Sequence, residues 1–151
     1  MTLLQRRAAV TIRPAKPEDA RRIAALCGQL GYPATSAEIR KRLAFVMRDL
    51  RSTCFVAETP DEGVIGWVQV GVTPLLEADR RVEVNGLIVD ERVRSRGAGW
   101  LLLTAAERWA RKMKCKSVSV RSNIIRERAH SFYQKHDYEH YKTQKAFRKP
   151  L

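Results

Sequence analysis

The chain has 151 residues, enough for one domain that buries more than half of the surface its extended form would expose. Its residues are 44% hydrophobic and 30% charged, and no apolar run approaches the roughly 20 residues that span a bilayer, which argues against disordered and membrane-spanning classes. Lys and Arg number 29 against 16 Asp and Glu, and the net charge of +13 favours a polyanionic ligand or partner.

The charge is unevenly distributed along the chain. Between Glu58 and Glu91 there are eight carboxylates and two arginines, a local charge of −6, so the remainder of the chain carries +19. An acidic middle within basic surroundings suits an enzyme that joins an anionic cosubstrate to a cationic acceptor. A solvated surface with uneven charge is the alternative.

The three cysteines, Cys27, Cys54 and Cys115, form no CxxC pair and have no histidine at ligand spacing. Their apolar neighbours predict inert buried thiols, so we expect no disulfide framework and no metal site. The N-terminus places an apolar patch before its arginines, the reverse of a secretory signal, and this predicts a cytoplasmic protein.

In chain order, the first predicted elements are a strand and two helices. Apolar and polar residues alternate over 10–13 as in a strand. A helix then begins near Pro17 and ends at Gly31. The second helix begins with a capping box, in which Thr35 and Glu38 cap each other's backbone.

A hairpin and a longer strand follow. The β-rich runs 54–57 and 64–72 are separated by turn residues at 60–63, which predicts the hairpin. The next strand, 82–89, changes its apolar phase by one residue, and a bulge at 85–86 would explain the shift. A fully buried strand without a bulge is the alternative.

The last predicted elements are a leucine-rich helix from Gly97, a strand at 117–120, a helix around Ala129 and two short strands over 138–149. The strand-helix-strand unit from Val82 to Val120 should be parallel and right-handed. The order β-α-α-β-β-β-α-β-α-β-β predicts one α/β domain over residues 1–151, a mixed sheet with helices on both faces.

A glycine-rich turn lies between the strand 82–89 and the leucine-rich helix. The residues Arg94-Ser95-Arg96-Gly97-Ala98-Gly99 match R-x-x-G-x-G. Two glycines let the backbone curl with its N–H groups inward, and the helix start adds its positive end, so the turn can hold a pyrophosphate. A tight connection with no ligand is the alternative.

The context of this turn is specific. The run VDERVRSRGAGWLLL resembles the signature V-x-P-x-x-R-x-x-G-x-G-x-x-L-L of GNAT acetyltransferases, with Glu91 in place of proline. Residues 129–138 resemble the family's second element, A-x-x-F/L-Y-x-x-x-G-F, with Asp137 in place of glycine and Tyr138 in place of phenylalanine. The chain is similar to aminoglycoside-type and uncharacterised members of this family.

The resemblance implies the GNAT fold, a mostly antiparallel sheet with a parallel pair splayed around CoA, and acetyl-CoA as cosubstrate without a metal. The residues implied to contact it are Leu87, Ile88, Val89, Arg94, Ser95, Arg96, Gly97, Ala98, Gly99, Trp100, Asn123, Arg126, Ala129 and Tyr133. Tyr133 matches the family's tyrosine that protonates the CoA sulfur. A core tyrosine is the alternative.

The general base is predicted from position. Glu83 comes just before the expected bulge, where its carboxylate can reach an acceptor amine directly or through a water. An ion pair with Arg81 is the alternative.

The predicted function is transfer of an acetyl group from acetyl-CoA to a primary amine of a small cationic molecule, by direct attack in a ternary complex. Acetylation of a protein N-terminus or lysine is an alternative acceptor chemistry. A non-catalytic acyl-CoA sensor and a basic nucleic-acid-binding module belong to other classes. The nucleic-acid class is disfavoured because no stacking motif or recognition helix is evident. No membrane partner is expected, and a homodimer is left open.

Overall fold

A computed structural model describes residues 9–94 and 96–151. Five strands and four α-helices are present in these ranges: β1 (Thr11–Pro14), α1 (Ala20–Leu30), α2 (Ser36–Arg48), β2 (Ser52–Thr59), β3 (Gly63–Thr73), β4 (Arg81–Val89), α3 (Ala98–Lys112), β5 (Val118–Val120) and α4 (Glu127–Lys135). The contacts divide the chain into two compact units, one up to Val120 and one comprising Arg121–Leu151.

The sheet of the first unit has the order β1-β2-β3-β4-β5. Neighbouring strands are antiparallel from β1 to β4, whereas β4 and β5 are parallel. The predicted mixed sheet and its parallel β4-α3-β5 unit are therefore confirmed, since a helical crossover is what joins two parallel neighbours.

Helices cover both faces of this sheet. On one face, Trp67 of β3 and Ile88 of β4 join a buried cluster with residues of α1 and α2, including Ile23 and Ile39. On the other face, a Cβ at Gly66 would lie 3.2 Å from Leu102 of α3. The amphipathic helices bury their apolar sides against the two faces, as their spacing predicts.

Helix caps follow the sequence signals. The Thr35 hydroxyl accepts the N–H of Glu38 at 3.1 Å, and the Glu38 carboxylate accepts the N–H of Thr35 at 2.8 Å, so the predicted capping box is confirmed. Helix α1 ends at Gly31, which adopts a left-handed φ of 91° that favours glycine. No helix in the described ranges is long and apolar enough to cross a membrane.

The predicted bulge in β4 is also confirmed. Gln69 faces Gly86 and Val70 faces Val84, so Asn85 is the extra residue. A second bulge, which the sequence analysis did not predict, lies in β3, where Gly66 faces Ala57 but Val64 faces Glu58.

The prediction of two strands at the C-terminus is wrong. Residues 136–151 form neither helix nor strand, and nearly all of them are exposed. Their aromatic residues Tyr138 and Tyr141 are three positions apart, so they cannot share one face of a strand, and Phe147 is 91% exposed. Local β-propensity without a buried face to pack did not produce strands here.

Candidate active site

The outer edge of β4 is unpaired beyond its bulge. Strand β5 pairs with β4 only from Val82 to Val84, and past this point the described residues give β4 no partner except β3. The N–H of Asp90 donates to Ile65 on β3 at 2.7 Å. Because backbone groups alternate in direction along a strand, those of Leu87 and Val89 point to the unpaired edge, while those of Ile88 point to β3.

The glycine-rich turn leads directly into α3. Gly97 is the N-cap of α3 with a left-handed φ of 81°, and a Cβ there would meet nothing within 4 Å. Gly97 has no side chain with which to cap this helix start, and the described residues show no side-chain cap for the N–H groups of the first turn, which begins with Ala98 and Gly99. Ser95, the second residue of the predicted turn, lies outside the described residues.

The two arginines of the turn are anchored to neighbouring elements. Arg94 Nε donates to the carbonyl of Val89 at 3.3 Å. Arg96 Nη1 donates to Glu62 Oε2 at 2.6 Å, and the buried Thr59 hydroxyl donates to that same oxygen at 3.0 Å. The Arg96 guanidinium holds the pKa of Glu62 below its ordinary value. Trp100, one residue beyond the turn, is about half exposed.

A buried carboxylate, not predicted from the sequence, fixes the end of β4. Asp90 is 2% exposed and accepts from Arg92 Nη2 at 2.9 Å, from Arg22 Nη2 at 3.2 Å and from Gln29 Nε2 at 3.3 Å. The Arg92 guanidinium holds the pKa of Asp90 far below its usual range. A cavity of about 440 Å³ beside it is lined by Arg96 of the turn as well.

Glu83 forms the ion pair that the sequence left open as the alternative to a general base. It is 7% exposed, and its Oε1 accepts from Arg81 Nε at 2.9 Å, so the predicted alternative of an ion pair is present. Its other oxygen, Oε2, is buried and has no hydrogen-bond partner in the described part of the chain. The same holds for Ser119 Oγ and Trp67 Nε1. One carboxylate oxygen is therefore held by Arg81, and the other is shielded from solvent and unpaired within the described residues.

The second unit carries the tyrosine of the predicted site. Tyr133 of α4 packs with Phe132, their ring centroids 5.3 Å apart, and with Tyr138 at 5.8 Å. Burial raises the pKa of Tyr133 to about 12, so its hydroxyl is protonated at neutral pH and can act as a proton donor. Ala129 lies one turn earlier on α4 and is partly buried.

The loop before α4 is organised by Asn123. Its Oδ1 accepts the N–H of Ile125 at 3.1 Å, and its carbonyl accepts the N–H of Arg126 at 2.9 Å. After α4, Asp137 adopts a left-handed φ of 67°. This explains why glycine is usual at that position, and aspartate is one of the residues that tolerate the conformation.

The prediction of buried, inert thiols holds for two of the three cysteines, because Cys27 and Cys54 are buried whereas Cys115 is only partly buried. Burial raises the pKa of Cys54 to about 12 and also raises that of Cys27, so both thiols are protonated at neutral pH. The described residues contain no group of three or more His, Cys, Asp or Glu side chains that could hold a metal ion.

The acidic middle of the sequence is largely neutralised in the fold. Five of its eight carboxylates form ion pairs: Glu58 with Arg13, Glu62 with Arg96, Asp79 with Lys116, Glu83 with Arg81, and Asp90 with Arg22 and Arg92. The linear charge pattern therefore overstates the negative potential that an incoming amine meets.

Comparison with known proteins identifies the class. A family model described as the Acetyltransferase (GNAT) family matches residues 18–138, and the chain belongs to this family. It is therefore an acyltransferase of the N-acetyltransferase class. It is 30% identical over 135 residues to the uncharacterised N-acetyltransferase YhfO of Bacillus subtilis, covering 86% of this chain and 90% of that protein.

Solved structures share the fold. The aminoglycoside N-acetyltransferase AAC(6')-Iy in complex with CoA superposes with a TM-score of 0.84 at 18% identity, covering 99% of this chain and 100% of the other. A transcriptional regulator from Bacillus halodurans superposes with a TM-score of 0.83 at 20% identity, covering 93% and 99%. These likenesses establish the architecture and leave the acceptor open.

Proposed function

We propose that the chain transfers the acetyl group of acetyl-CoA to a primary amine of a small cationic molecule, by direct attack in a ternary complex. The observation that carries the proposal is the unpaired edge of β4, which lies between a buried carboxylate and a glycine turn at a helix start. Acetyl-CoA would thus bind along the outer part of β4, and the amine would bind near the base, Glu83, on the same strand.

The donor half of the site fits acetyl-CoA. The backbone groups of Leu87 and the N–H of Val89 suit the amide-rich pantetheine arm, which would pair with them as a further strand does, while the Val89 carbonyl already accepts from Arg94. The first turn of α3 behind Gly97 suits the pyrophosphate, because unsatisfied N–H groups and the helix dipole both favour an anion. Arg94 adds positive charge to this end of the site, whereas the charge of Arg96 is balanced by its ion pair with Glu62.

The acceptor half rests on Glu83. A protonated amine cannot attack a thioester, so a base must first remove a proton, and the unpartnered Oε2 of Glu83 is a buried acceptor for it. The nitrogen then forms a bond to the carbonyl carbon as the C–S bond breaks. Tyr133 donates its hydroxyl proton to the departing sulfur, and the remaining ammonium proton of the adduct is lost to the phenolate or solvent.

The family model spans residues 18–138, across both compact units, and this supports one functional domain. A small cationic acceptor is supported by the fold shared with AAC(6')-Iy, which was solved with the bisubstrate analogue CoA-S-monomethyl-acetylneamine. A protein N-terminus or lysine is the competing acceptor, which the same base would serve.

Two measurements test the proposal. Calorimetry should detect binding of acetyl-CoA, and release of free CoA thiol should be followed with neamine, spermidine, a peptide with a free N-terminus and an N-blocked lysine peptide. Turnover with neamine or spermidine would support a small cationic acceptor. Turnover with a peptide alone would instead support a protein N-terminus or lysine as the acceptor. A protein that neither binds acetyl-CoA nor releases thiol would overturn the assignment.

A further inference from the structure

A second cavity, of about 230 Å³, lies between α3 and the edge strand β1. Strand β1 has four residues and is the outermost strand of the sheet, so the sheet ends beside this flank of the helix. The apolar wall of the cavity is formed by Ile12, Pro14, Phe55, Ala105 and Trp109. The cavity is therefore an apolar groove between a sheet edge and a helix.

The rim of this groove is positively charged. Arg108 and Lys112 line it from α3, both are exposed, and within the described residues neither side chain forms an ion pair. Arg13 also lines the groove, but its guanidinium is already paired with Asp19 and Glu58. The described lining residues include no carboxylate. Two exposed cations without a counter-charge, beside an apolar wall, favour a partner that is both acidic and apolar.

The size of the groove indicates what it can hold. Pockets for drug-sized ligands have volumes of about 300–1,000 Å³, and this groove is smaller, so it suits one or two apolar side chains. Phe55 and Trp109 are partly buried in its wall, whereas aromatic rings that stack nucleic-acid bases offer an accessible face. The anchoring side chain of a polypeptide fits this arrangement better than a nucleic acid does.

The partner is better matched as a helix than as an added strand. The N–H of Ala15, directly after β1, donates to Cys54 on β2 at 2.9 Å, so the backbone groups of Ile12 and Pro14 point to the outer edge. Proline has no N–H to offer a further strand there. Arg108 and Lys112 are one turn apart on α3, a spacing that two carboxylates one turn apart on a partner helix reproduce.

This chain does not itself supply such a helix. Helix α1 has no acidic residue, and α2, α3 and α4 have one each, Glu38, Glu107 and Glu127. Two copies with a net charge of +13 also repel each other. Residues 1–8 contain two arginines and no carboxylate, so their charge does not match the rim either.

We propose that the groove between β1 and α3 is a docking site for an acidic amphipathic helix of another protein. An apolar side chain of that helix packs against Phe55 and Trp109. Two of its carboxylates, one turn apart, pair with Arg108 and Lys112. The groove lies at the edge of the sheet opposite β5, so the inference does not depend on the proposed acetyl transfer.

Fluorescence anisotropy tests the docking with a synthetic probe. The probe is a fluorescein-labelled, alanine-based helical peptide with two glutamates one turn apart and a leucine next to the first. The full-length protein should bind it saturably, with an affinity that falls as salt is added. Changing the leucine to alanine, or both glutamates to lysine, should weaken binding at least tenfold. No saturable binding up to about 1 mM protein would overturn the inference.

Charge reversal locates the contact on α3. Arg108→Glu and Lys112→Glu should each weaken binding of the glutamate peptide about tenfold and strengthen binding of the lysine peptide. Arg111→Glu is the matched control, because Arg111 is exposed on the same helix and does not line the groove. Equal losses in all three variants would reflect net charge alone and would overturn the inference.

A cavity-filling substitution tests the apolar anchor. Ala105→Phe should fill the groove and abolish peptide binding, and its thermal midpoint shows whether the variant is folded. A folded Ala105→Phe that binds the peptide as the wild type does would overturn the inference. If this variant does not fold, the charge-reversal variants decide the question.

Three results would assign the groove to another occupant and overturn the inference. The first is tighter binding of a fluorescein-labelled single-stranded oligonucleotide that the same charge reversals weaken. The second is a dimer in analytical ultracentrifugation that Arg108→Glu dissociates. The third is peptide binding that occurs only after Leu3 and Leu4 are both changed to Gln, which would mean that the chain's own N-terminal segment occupies the groove.

Discussion

Gly86 of β4 lies directly beneath the indole ring of Trp67 on β3. A Cβ at Gly86 would be 2.7 Å from both Cη2 and Cζ3 of that ring, closer than real side chains approach. The glycine comes immediately after the bulge residue Asn85, where the backbone changes phase. The Trp67 ring therefore requires a glycine at position 86, next to the bulge after which the backbone groups of Leu87 and Val89 point to the unpaired edge.

This contact predicts a costly substitution. Gly86→Ala should lower the free energy of unfolding by about 1–3 kcal/mol, because either the ring or the bulge must move. It should also weaken acetyl-CoA binding if the edge carries the pantetheine arm. Chemical denaturation and calorimetry measure the two effects.

Two further variants test the cause. Trp67→Phe shortens the ring system, so the double variant should lose less stability than the sum of the single variants. Gly28→Ala is the control, because a Cβ there meets nothing within 4 Å inside α1, and helix propensity should make it neutral or stabilising. Additive losses in the cycle would show that the ring is not the obstacle.

The sequence predicts those features that its local pattern encodes. The phase change at Asn85 and Gly86 predicts the bulge, and Thr35 with Glu38 predicts the capping box, because each signal lies within a few residues of its effect. The predicted C-terminal strands were wrong because local β-propensity does not say whether a partner strand exists.

Some features of the candidate site are likewise encoded locally, and others depend on residues far apart in the sequence. Its glycine turn depends on backbone conformation and is predictable from Gly97 and its neighbours. The anchoring of Asp90 is not, because its partners Arg22 and Gln29 are 68 and 61 residues away on α1. The pairing of Glu83 with Ser119 likewise requires the register of β4 and β5, which no local pattern specifies.

Gly97→Ala should weaken acetyl-CoA binding more than it weakens folding. A residue with a Cβ would be strained by roughly 1–2 kcal/mol at the left-handed φ of 81°, although a Cβ at Gly97 would meet no atom within 4 Å. Gly31→Ala is the matched control, because Gly31 has a φ of 91° at the end of α1. Calorimetry should show a reduced affinity for acetyl-CoA in Gly97→Ala and an unchanged one in Gly31→Ala. If the two variants lose the same thermal stability and bind acetyl-CoA equally well, the turn has only a structural role.

Asp90→Asn should remove a stabilisation that depends on pH. The pKa of Asp90 is lower in the fold than the value of about 3.9 in the unfolded chain, so its contribution is present at neutral pH and is lost as the pH falls below about 4. The variant should be about 1–3 kcal/mol less stable at pH 7, and the gap should narrow at pH 3. Urea denaturation at both values measures it. Asp61→Asn, an exposed substitution in the β2–β3 turn, should change neither the stability at pH 7 nor its dependence on pH. If the stability difference between wild type and Asp90→Asn is the same at both pH values, the charge of Asp90 is not its cause.

Glu83→Gln should depress kcat/KM most at neutral pH. The amide can still accept a hydrogen bond from Arg81 but cannot take a proton, so roughly a hundredfold loss is expected for a general base. The loss should diminish near pH 10, where more of a primary amine is neutral. Glu77→Gln removes an exposed charge from the same acidic segment and controls for the change in net charge. A pH profile of kcat/KM that Glu83→Gln leaves unaltered would exclude Glu83 as the base.

Tyr133→Phe should lower kcat and leave the affinity for acetyl-CoA nearly unchanged. The substitution keeps the aromatic contacts with Phe132 and Tyr138 and removes only the hydroxyl, whose raised pKa keeps it protonated over the working range. Because that proton goes to the departing sulfur, the loss should be smaller for an acetyl thioester whose thiol has a low pKa, such as an aryl thioester. Tyr141→Phe, at an exposed tyrosine, is the control. An unchanged kcat, or an equal loss with both thioesters, would leave Tyr133 as a packing residue of α4.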